Sequence, residues 1–254
     1  MKLVLRADDL GISQGVNYGI QKSIQDGLIT CVGIMPNMED AIHGYSLIKD
    51  LDVCIGQHTN ICLGKPVLDS KLIPSLVDKN GYFYTSHDIN NRPNDTIDVG
   101  ECELEIEAQV LRFQEITGYM PKYLDGHSVF SMHYLEALER IAEKYNLFYV
   151  NPLDDNWSLA HGMKSLGYIN LDENGLYNPR KYFEKHLDDI KKNQCSIAVF
   201  HPGYLDQYIL THSSYTLIRP MECEFLCSDW LKKWIQDNEI ELIDFYHYIN
   251  NDFK

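Results

Sequence analysis

The chain has little positive charge and no long apolar run, and each absence excludes a class of protein. Its 254 residues include 22 lysines and arginines against 37 aspartates and glutamates, a net charge of −15. Binding of a nucleic-acid backbone needs a basic surface, so we expect no nucleic-acid partner. No apolar run approaches the roughly 20 residues that span a bilayer, so we expect no membrane partner.

The seven cysteines form neither a disulfide framework nor a zinc motif. They are odd in number and include no C-x-x-C pair. The N-terminal residues lack a signal-peptide pattern, so we expect free thiols and a cytoplasmic protein. Cys223 and Cys227 are spaced to share a helical face, but no further ligands lie nearby in the sequence. We therefore predict neither a metal nor a disulfide at this pair.

Strand-like and helix-like segments alternate from end to end. Apolar runs predict strands at 2–7, 29–35, 53–57, 122–126, 147–151, 196–200 and 240–244. Apolar residues at helical spacing predict helices from Ser13 to about Gly27, at 96–117, around 135–142, at 180–193 and at 222–236. The two stretches 59–95 and 151–179 show little periodicity, and we expect long loops that wall a pocket.

This alternation predicts an α/β fold, because parallel strands need crossover connections and helices supply them. An open doubly wound sheet and a barrel both fit the count. We favour a single domain over 1–254, a (β/α) barrel of the TIM type that is incomplete or distorted, with about seven parallel strands. A barrel brings several distant strand ends to one centre, whereas an open sheet keeps them apart.

Four predicted strands end in acidic or imidazole side chains. Asp8 and Asp9 follow the first strand, and the later strand ends carry His58, His127 and His201. The carboxyl ends of parallel strands share one face, so these side chains are expected to converge. Two imidazoles and one carboxylate suit a catalytic divalent metal, and the second carboxylate is then free as a base. The alternatives are a helix-capping aspartate and surface histidines.

Three further features of the sequence indicate how the site residues are held in place. Asp125 points the same way along its strand as the following histidine and is placed to orient an imidazole; its alternative partner is a lysine. Arg219 starts a helix and pairs either with an active-site carboxylate or with Glu222 as a surface bridge. Pro202 holds His201 extended, which suits protonation of a leaving amine or an oxyanion contact; the alternative is a buried histidine bonded to backbone.

Six short motifs occur in a fixed order along the chain. They are Ala7-Asp8-Asp9-Leu10-Gly11, Asn17-Tyr18-Gly19-Ile20, Gly56-Gln57-His58, Leu124-Asp125-Gly126-His127, His201-Pro202-Gly203 and the helix start from Arg219 to Glu222. In this order they resemble the YdjC-like carbohydrate deacetylases. Two positions depart from the family pattern. Leu10 replaces an aromatic residue, and Ser128-Val129-Phe130-Ser131 stands where members often carry a His-x-His run, which bears on sugar specificity.

The resemblance implies an incomplete (β/α) barrel with one divalent metal ion, Mg²⁺ or Zn²⁺. It implies that Asp9, His58 and His127 are the metal ligands and that Asp8 is the general base. We assign His201, as imidazolium, to protonation of the leaving amine.

The same resemblance implies a metal-dependent hydrolase that removes N-acetyl groups from amino sugars and releases acetate. N-acetylglucosamine-containing (chito)oligosaccharides are the expected substrates, and Asp125, Arg219 and Glu222 are expected to bind substrate or support the site. The alternatives are another metal-dependent amidohydrolase or esterase of this fold, and a catalytically silent sugar-binding protein. A homodimer is the expected assembly.

Overall fold

Parallel strands form a curled sheet that is an incomplete barrel. The computed structural model describes residues 1–152, 154–167 and 177–252. The strands are β1 (Lys2–Leu10), β2 (Cys31–Ile34), β3 (Cys54–Thr59), β4 (Tyr123–Gly126), β5 (Phe148–Tyr149), β6 (Met163–Ser165), β7 (Cys195–Phe200) and β8 (Glu241–Leu242). Seven of them follow the order β5-β4-β3-β2-β1-β7-β6, β8 pairs with the start of β1, and every pairing is parallel. The predicted α/β class and incomplete barrel are confirmed.

Helices connect the strands and cover the sheet. They are α1 (Gln14–Gln25), α2 (Ala41–Ile48), α3 (Ser86–Asn90), α4 (Val99–Thr117), α5 (Met132–Tyr145), α6 (Asp155–His161), α7 (Pro179–Lys192), α8 (Gln207–His212), α9 (Ile218–Leu226), α10 (Asp229–Asp237) and α11 (Phe245–Asp252). Local signals fix several ends. Ser13 caps α1 by accepting from the Val16 amide, and Gly118, at φ 84°, ends α4 in the left-handed conformation. In the described part of the chain, no helix is long and apolar enough to span a membrane.

Several predicted boundaries were wrong, and the stretch 59–95, expected to be a loop, contains α3. The first strand was placed at 2–7, but β1 continues to Leu10 and so contains both aspartates. The stretch 151–179 was expected to be a loop, yet it contains α6 and β6; its residues 153 and 168–176 lie outside the described part. The helix expected at 222–236 is two helices, because α9 ends at Leu226 and Ser228 caps α10.

The sheet separates two kinds of core. Outward strand residues such as Leu3, Leu5 and Val32 pack against the helices. Inward residues fill the amino-terminal half of the barrel: Val4, Cys31, Cys54, Tyr123, Val150, Trp157, Met163, Cys195, Ile197, Phe245 and Tyr248. Side chains alternate between the two faces of a strand, so the next inward residue of each strand lies two positions further toward its carboxyl end. This apolar layer therefore forms the floor beneath the polar residues at the strand ends.

Candidate metal centre and active site

A cavity of about 520 Å³ opens at the carboxyl ends of the strands. Its lining includes residues from four strands or strand ends, Asp8, His58, Asp125, His127 and His201. The inner face of the curled sheet brings these side chains together. The sequence-based expectation that separate strand ends meet in one pocket therefore agrees with this structure.

Asp8 and Asp9 both reach the site because β1 is irregular. Regular alternation would send consecutive side chains to opposite faces. Here the register between β1 and β2 shifts between Ala7 and Leu10, and Asp9 adopts φ 73°. Such a left-handed residue at a bulge re-aims a side chain, at a conformational cost that surrounding contacts must offset. Both carboxylates are buried, with 2% and 1% of the residue surface exposed.

Three ligand atoms lie close enough to share one cation. His58 Nε2 is 3.0 Å from His127 Nδ1, His127 Nδ1 is 3.1 Å from Asp9 Oδ1, and His58 Nε2 is 3.6 Å from Asp9 Oδ1. Ligand atoms about 2.0–2.2 Å from a tetrahedral metal lie roughly 3.3–3.6 Å from one another. Among the described residues, Asp9 Oδ1 is buried yet makes no well-formed hydrogen bond. The donor set and its spacing fit a divalent metal with open positions.

A second group, Asp8, His58 and Asp125, is also compact. It is less suited to a cation, because the Arg6 guanidinium already pairs with both of its carboxylates, with Nη2 2.7 Å from Asp8 Oδ2 and 2.8 Å from Asp125 Oδ2. Asp125 Oδ1 lies 3.1 Å from His58 Nδ1. A proton on that nitrogen leaves the Nε2 lone pair free for a metal.

Arg6 is the site residue that the sequence reasoning missed. A basic residue inside an apolar strand run resembles an outward, solvated position. The signal that identifies it is alternation, because Val4 and Asp8 flank Arg6 at two-residue spacing on the inner face. Arg6 is buried, with 5% of its surface exposed.

Residues from the later half of the chain complete the site. Arg219 Nη2 lies 2.7 Å from Asp9 Oδ2, and its Nε donates to the Tyr215 carbonyl. Of the two partners considered from the sequence, Arg219 contacts the site carboxylate. Glu222 instead accepts a hydrogen bond from the backbone amide of His201. The α9 helix thus fixes both Asp9 and the backbone of His201.

Burial and charge set the protonation of the site. Burial alone raises the pKa values of Asp8 and Asp9, but the charges of Arg6 and Arg219, respectively, together with nearby imidazoles, hold both pKa values below the ordinary range. Burial lowers the pKa values of His58 and His127, yet their carboxylate neighbours raise both above the ordinary value.

His201 behaves differently from the other two imidazoles. Burial lowers its pKa to about 4, although Asp9 and Asp8 oppose the shift. The free site therefore favours a neutral His201 imidazole at neutral pH.

The segment after His127 forms part of the cavity rim. Asn90 accepts from the Phe130 amide and donates to the Ser128 carbonyl, which holds this segment in place. Phe130 lines the cavity with 60% of its surface exposed. An aromatic ring therefore stands at the rim of the cavity.

Close packing also restricts which residue can stand beside His58 and Asp8. A Cβ added at Gly33 would lie 2.8 Å from the Cβ of His58 and 3.3 Å from Asp8 Oδ1. No real side chain fits there without displacing His58. Glycine at this position of β2 is therefore a requirement of the site next to it.

Comparisons with known proteins find relatives over nearly the whole chain. The YdjC-like protein family matches residues 2–237. The chain is 31% identical over 257 residues to a carbohydrate deacetylase of Brevibacillus brevis, covering 96% of this chain and 98% of the relative. It is 29% identical over 254 residues to a chitooligosaccharide deacetylase of Proteus mirabilis, covering 94% and 96%.

Solved structures show the same fold. A crystal structure from Enterococcus faecalis V583, provisionally assigned to cellobiose-phosphate cleavage, superposes with a TM-score of 0.83 at 23% identity and covers 98% of both chains. A peptidoglycan N-acetylglucosamine deacetylase in complex with an N-oxidanyl-benzamide gives a TM-score of 0.54 at 13% identity, covering 96% of this chain and 86% of that one. From the family match over nearly its whole length, together with the 31% identical relative, we conclude that the chain belongs to the YdjC-like protein family.

Proposed function

We propose that this protein is a metal-dependent carbohydrate deacetylase that removes N-acetyl groups from amino sugars and releases acetate. One observation carries the proposal. A compact Asp9, His58 and His127 triangle with the spacing of metal ligands lies beside a second carboxylate, Asp8, whose Oδ1 has no hydrogen-bond partner among the described residues. Metal-assisted hydrolysis of an amide uses this combination of an electrophilic centre and a base.

Asp9, His58 and His127 would hold the cation, which we propose to be Mg²⁺ or Zn²⁺. When bound, it supplies Lewis-acid polarisation of the acetamide carbonyl and of a water molecule. Neutral imidazoles and a carboxylate accept either metal, so the donor set alone does not separate them.

Asp8 acts as the general base in this proposal. Its low pKa keeps it ionised, Arg6 holds Oδ2, and Oδ1 is left to accept the proton of the attacking water. The water oxygen then bonds to the carbonyl carbon. General-base assistance of this kind typically accelerates a reaction about 10²–10⁴-fold.

His201 protonates the departing nitrogen as the carbon–nitrogen bond breaks. Its imidazole is neutral in the free site, so we propose that the negative charge developing on the substrate raises its pKa and lets it take up the proton that Asp8 received from the water, which returns Asp8 to its carboxylate. Glu222 fixes the backbone of His201, and Arg219 fixes Asp9. These contacts hold the proposed acid and metal ligands in their relative positions. Asp125 orients the His58 ring through its contact with His58 Nδ1.

The substrate class we propose is N-acetylglucosamine-containing (chito)oligosaccharides. The named activities of the Brevibacillus brevis and Proteus mirabilis relatives support a carbohydrate and a chitooligosaccharide, respectively. The cavity is large enough for a sugar unit. Phe130 offers an exposed ring at the rim, and aromatic rings commonly pack against the apolar face of a sugar.

The decisive experiment measures acetate. Metal-free protein would be assayed with N-acetylglucosamine and its β-1,4 dimer and trimer, with and without added Zn²⁺, Mg²⁺ or Mn²⁺. We expect acetate only in the presence of a metal, and release about 10²–10⁴-fold slower from Asp8→Asn. Release from acetyl esters alone would make the protein an esterase, and sugar binding without release would make it a binding protein.

Metal binding has its own test. A crystal structure of the loaded protein should place one ion about 2.0–2.3 Å from atoms of Asp9, His58 and His127. An ion elsewhere, or one that leaves any of the three beyond bonding distance, would refute the ligand set.

We also propose a cytoplasmic location and a homodimer. All seven cysteines are free thiols, as is usual for a reducing compartment. Light scattering at micromolar concentration tests the homodimer.

A further inference from the structure

One guanidinium contacts both halves of the site. Arg6 Nη2 lies 2.7 Å from Asp8 Oδ2 and 2.8 Å from Asp125 Oδ2. All three side chains are almost completely buried, with 6%, 3% and 3% of their surfaces exposed. Arg6 belongs to β1 and Asp125 to β4, so the contact crosses the inner face of the curled sheet above β2 and β3.

Each carboxylate that Arg6 contacts has a different task. Asp8 turns Oδ2 to Arg6, which leaves Oδ1 buried without a hydrogen-bond partner among the described residues. Asp125 uses Oδ2 for Arg6 and Oδ1 for His58 Nδ1, 3.1 Å away. The orientation of the proposed base and of one proposed metal ligand thus depends on the same nitrogen atom.

Arginine is suited to this position in a way that lysine is not. Nη2 belongs to a planar, delocalised guanidinium; it donates a hydrogen bond to Asp8 Oδ2 and forms an ion pair with Asp125 Oδ2 at a fixed geometry. The other nitrogens, Nε and Nη1, have no hydrogen-bond partner among the described residues. The two carboxylates therefore determine where the guanidinium lies, and it in turn determines how they point.

We propose that Arg6 is a positioning residue for both the metal ligands and the base. It holds Asp125 against His58, which prepares the Nε2 atom for a metal, and it holds Asp8 with one oxygen free. The part that concerns Asp8 rests on the proposed deacetylation, whereas the part that concerns metal binding does not. A residue with this double role should affect metal affinity and turnover together.

The test compares Arg6→Ala and Arg6→Lys with wild type in two assays. Calorimetric titration of the metal-free protein with Zn²⁺ should show affinity about 10–100-fold weaker in Arg6→Ala, the usual cost of losing a residue behind a metal ligand. In deacetylation, kcat should fall by at least about 10²-fold, the lower end of general-base catalysis, with KM changed less than about twofold. Arg6→Lys should lie between, since an ammonium keeps the charge but not the planar geometry.

Rescue by a small cation separates positioning from mere structural support. Guanidinium ion should enter the space vacated in Arg6→Ala and raise both Zn²⁺ affinity and kcat toward wild type. The matched control is Arg140→Ala, which removes an exposed arginine paired with Glu103 and Glu136 and should show neither the loss nor the rescue.

Defined outcomes overturn the inference. If Arg6→Ala lowers the melting temperature but binds Zn²⁺ and turns over like wild type, Arg6 is only a structural ion pair. If Arg6→Ala does not fold, Arg6→Lys decides, and wild-type values in both assays refute positioning. If the wild type releases no acetate, the proposed function fails, while the Zn²⁺ titration still tests Arg6.

Discussion

Asp8 and Asp9 are adjacent in sequence but differ in their surroundings, so replacing each by asparagine should have different results. In Asp8→Asn, the amide oxygen can keep the contact with Arg6, and the metal triangle loses no atom. In Asp9→Asn, the amide oxygen faces Arg219, which places the NH₂ group where Oδ1 now lies, 3.1 Å from His127 Nδ1. A hydrogen-bond donor then points at the place where a cation should bind.

The magnitudes follow from these contacts. Asp8→Asn should keep the metal and lose about 10²–10⁴-fold in kcat, or about 2.7–5.4 kcal/mol of transition-state stabilisation. Asp9→Asn removes one of three ligands and its negative charge. Its metal affinity should fall by more than the roughly 10–100-fold that loss of an outer partner costs. Its turnover should fall as a consequence.

The assays are metal content after dialysis, measured by elemental analysis, and acetate release at saturating metal. Circular dichroism of each variant controls for folding. If Asp8→Asn empties the site and Asp9→Asn keeps it full, the two roles are exchanged. Full activity in both variants would refute the mechanism.

Other predictions address the acid, the thiols and a buried carboxyl group. His201→Ala should keep its metal and lose deacetylation much as Asp8→Asn does, with a smaller loss on an ester whose leaving group needs no proton; an equal loss on both substrates would contradict this role. Replacing Cys223 and Cys227 by serine should leave metal content unaltered, and loss of stoichiometric zinc would show that prediction wrong. Burial raises the pKa of Glu222 from 4.5 to about 8, against the opposing contacts of the His201 amide and Arg219, so the folded state favours the protonated acid. The contribution of Glu222 to the free energy of unfolding should therefore fall as pH rises from about 4.5 to 8, by at most about 1.4 kcal/mol per unit. Urea titrations of Glu222→Gln and wild type at pH 5 and pH 8 should differ by the loss of this contribution.

Much of the fold could be predicted because local patterns carry it. The apolar runs that precede His58, His127 and His201 are long enough to read as strands, and parallel strands place their ends on one face. The strand Met163–Ser165 was missed because three residues, Met-Lys-Ser, show neither alternation nor β-branched side chains.

The details of the site depend on non-local contacts that no pattern reveals. The left-handed conformation of Asp9 reflects a register shift against β2 and a partner, Arg219, that lies 210 residues away. Alternation and Asp8 place Arg6 on the inner face, but its second partner, Asp125, lies on a strand that is not its neighbour. Motif order identified the ligand candidates, but it did not show which charges hold them.

The central place of β1 has a consequence for how the chain is made. β1 pairs with β2 on one side and with β7 on the other, over six residues from Lys2 to Ala7. A ribosome releases residues 2–10 long before residues 195–200, so a growing chain carries an unpaired apolar edge through most of its synthesis. Such edges favour aggregation, and pairings between distant segments form slowly. Arg219 reaches Asp9 later still, so the nascent chain holds its three ligand candidates well before it can fix them. We expect the ion to enter after synthesis of the C-terminal half, and stalled or truncated chains to need protection by chaperones.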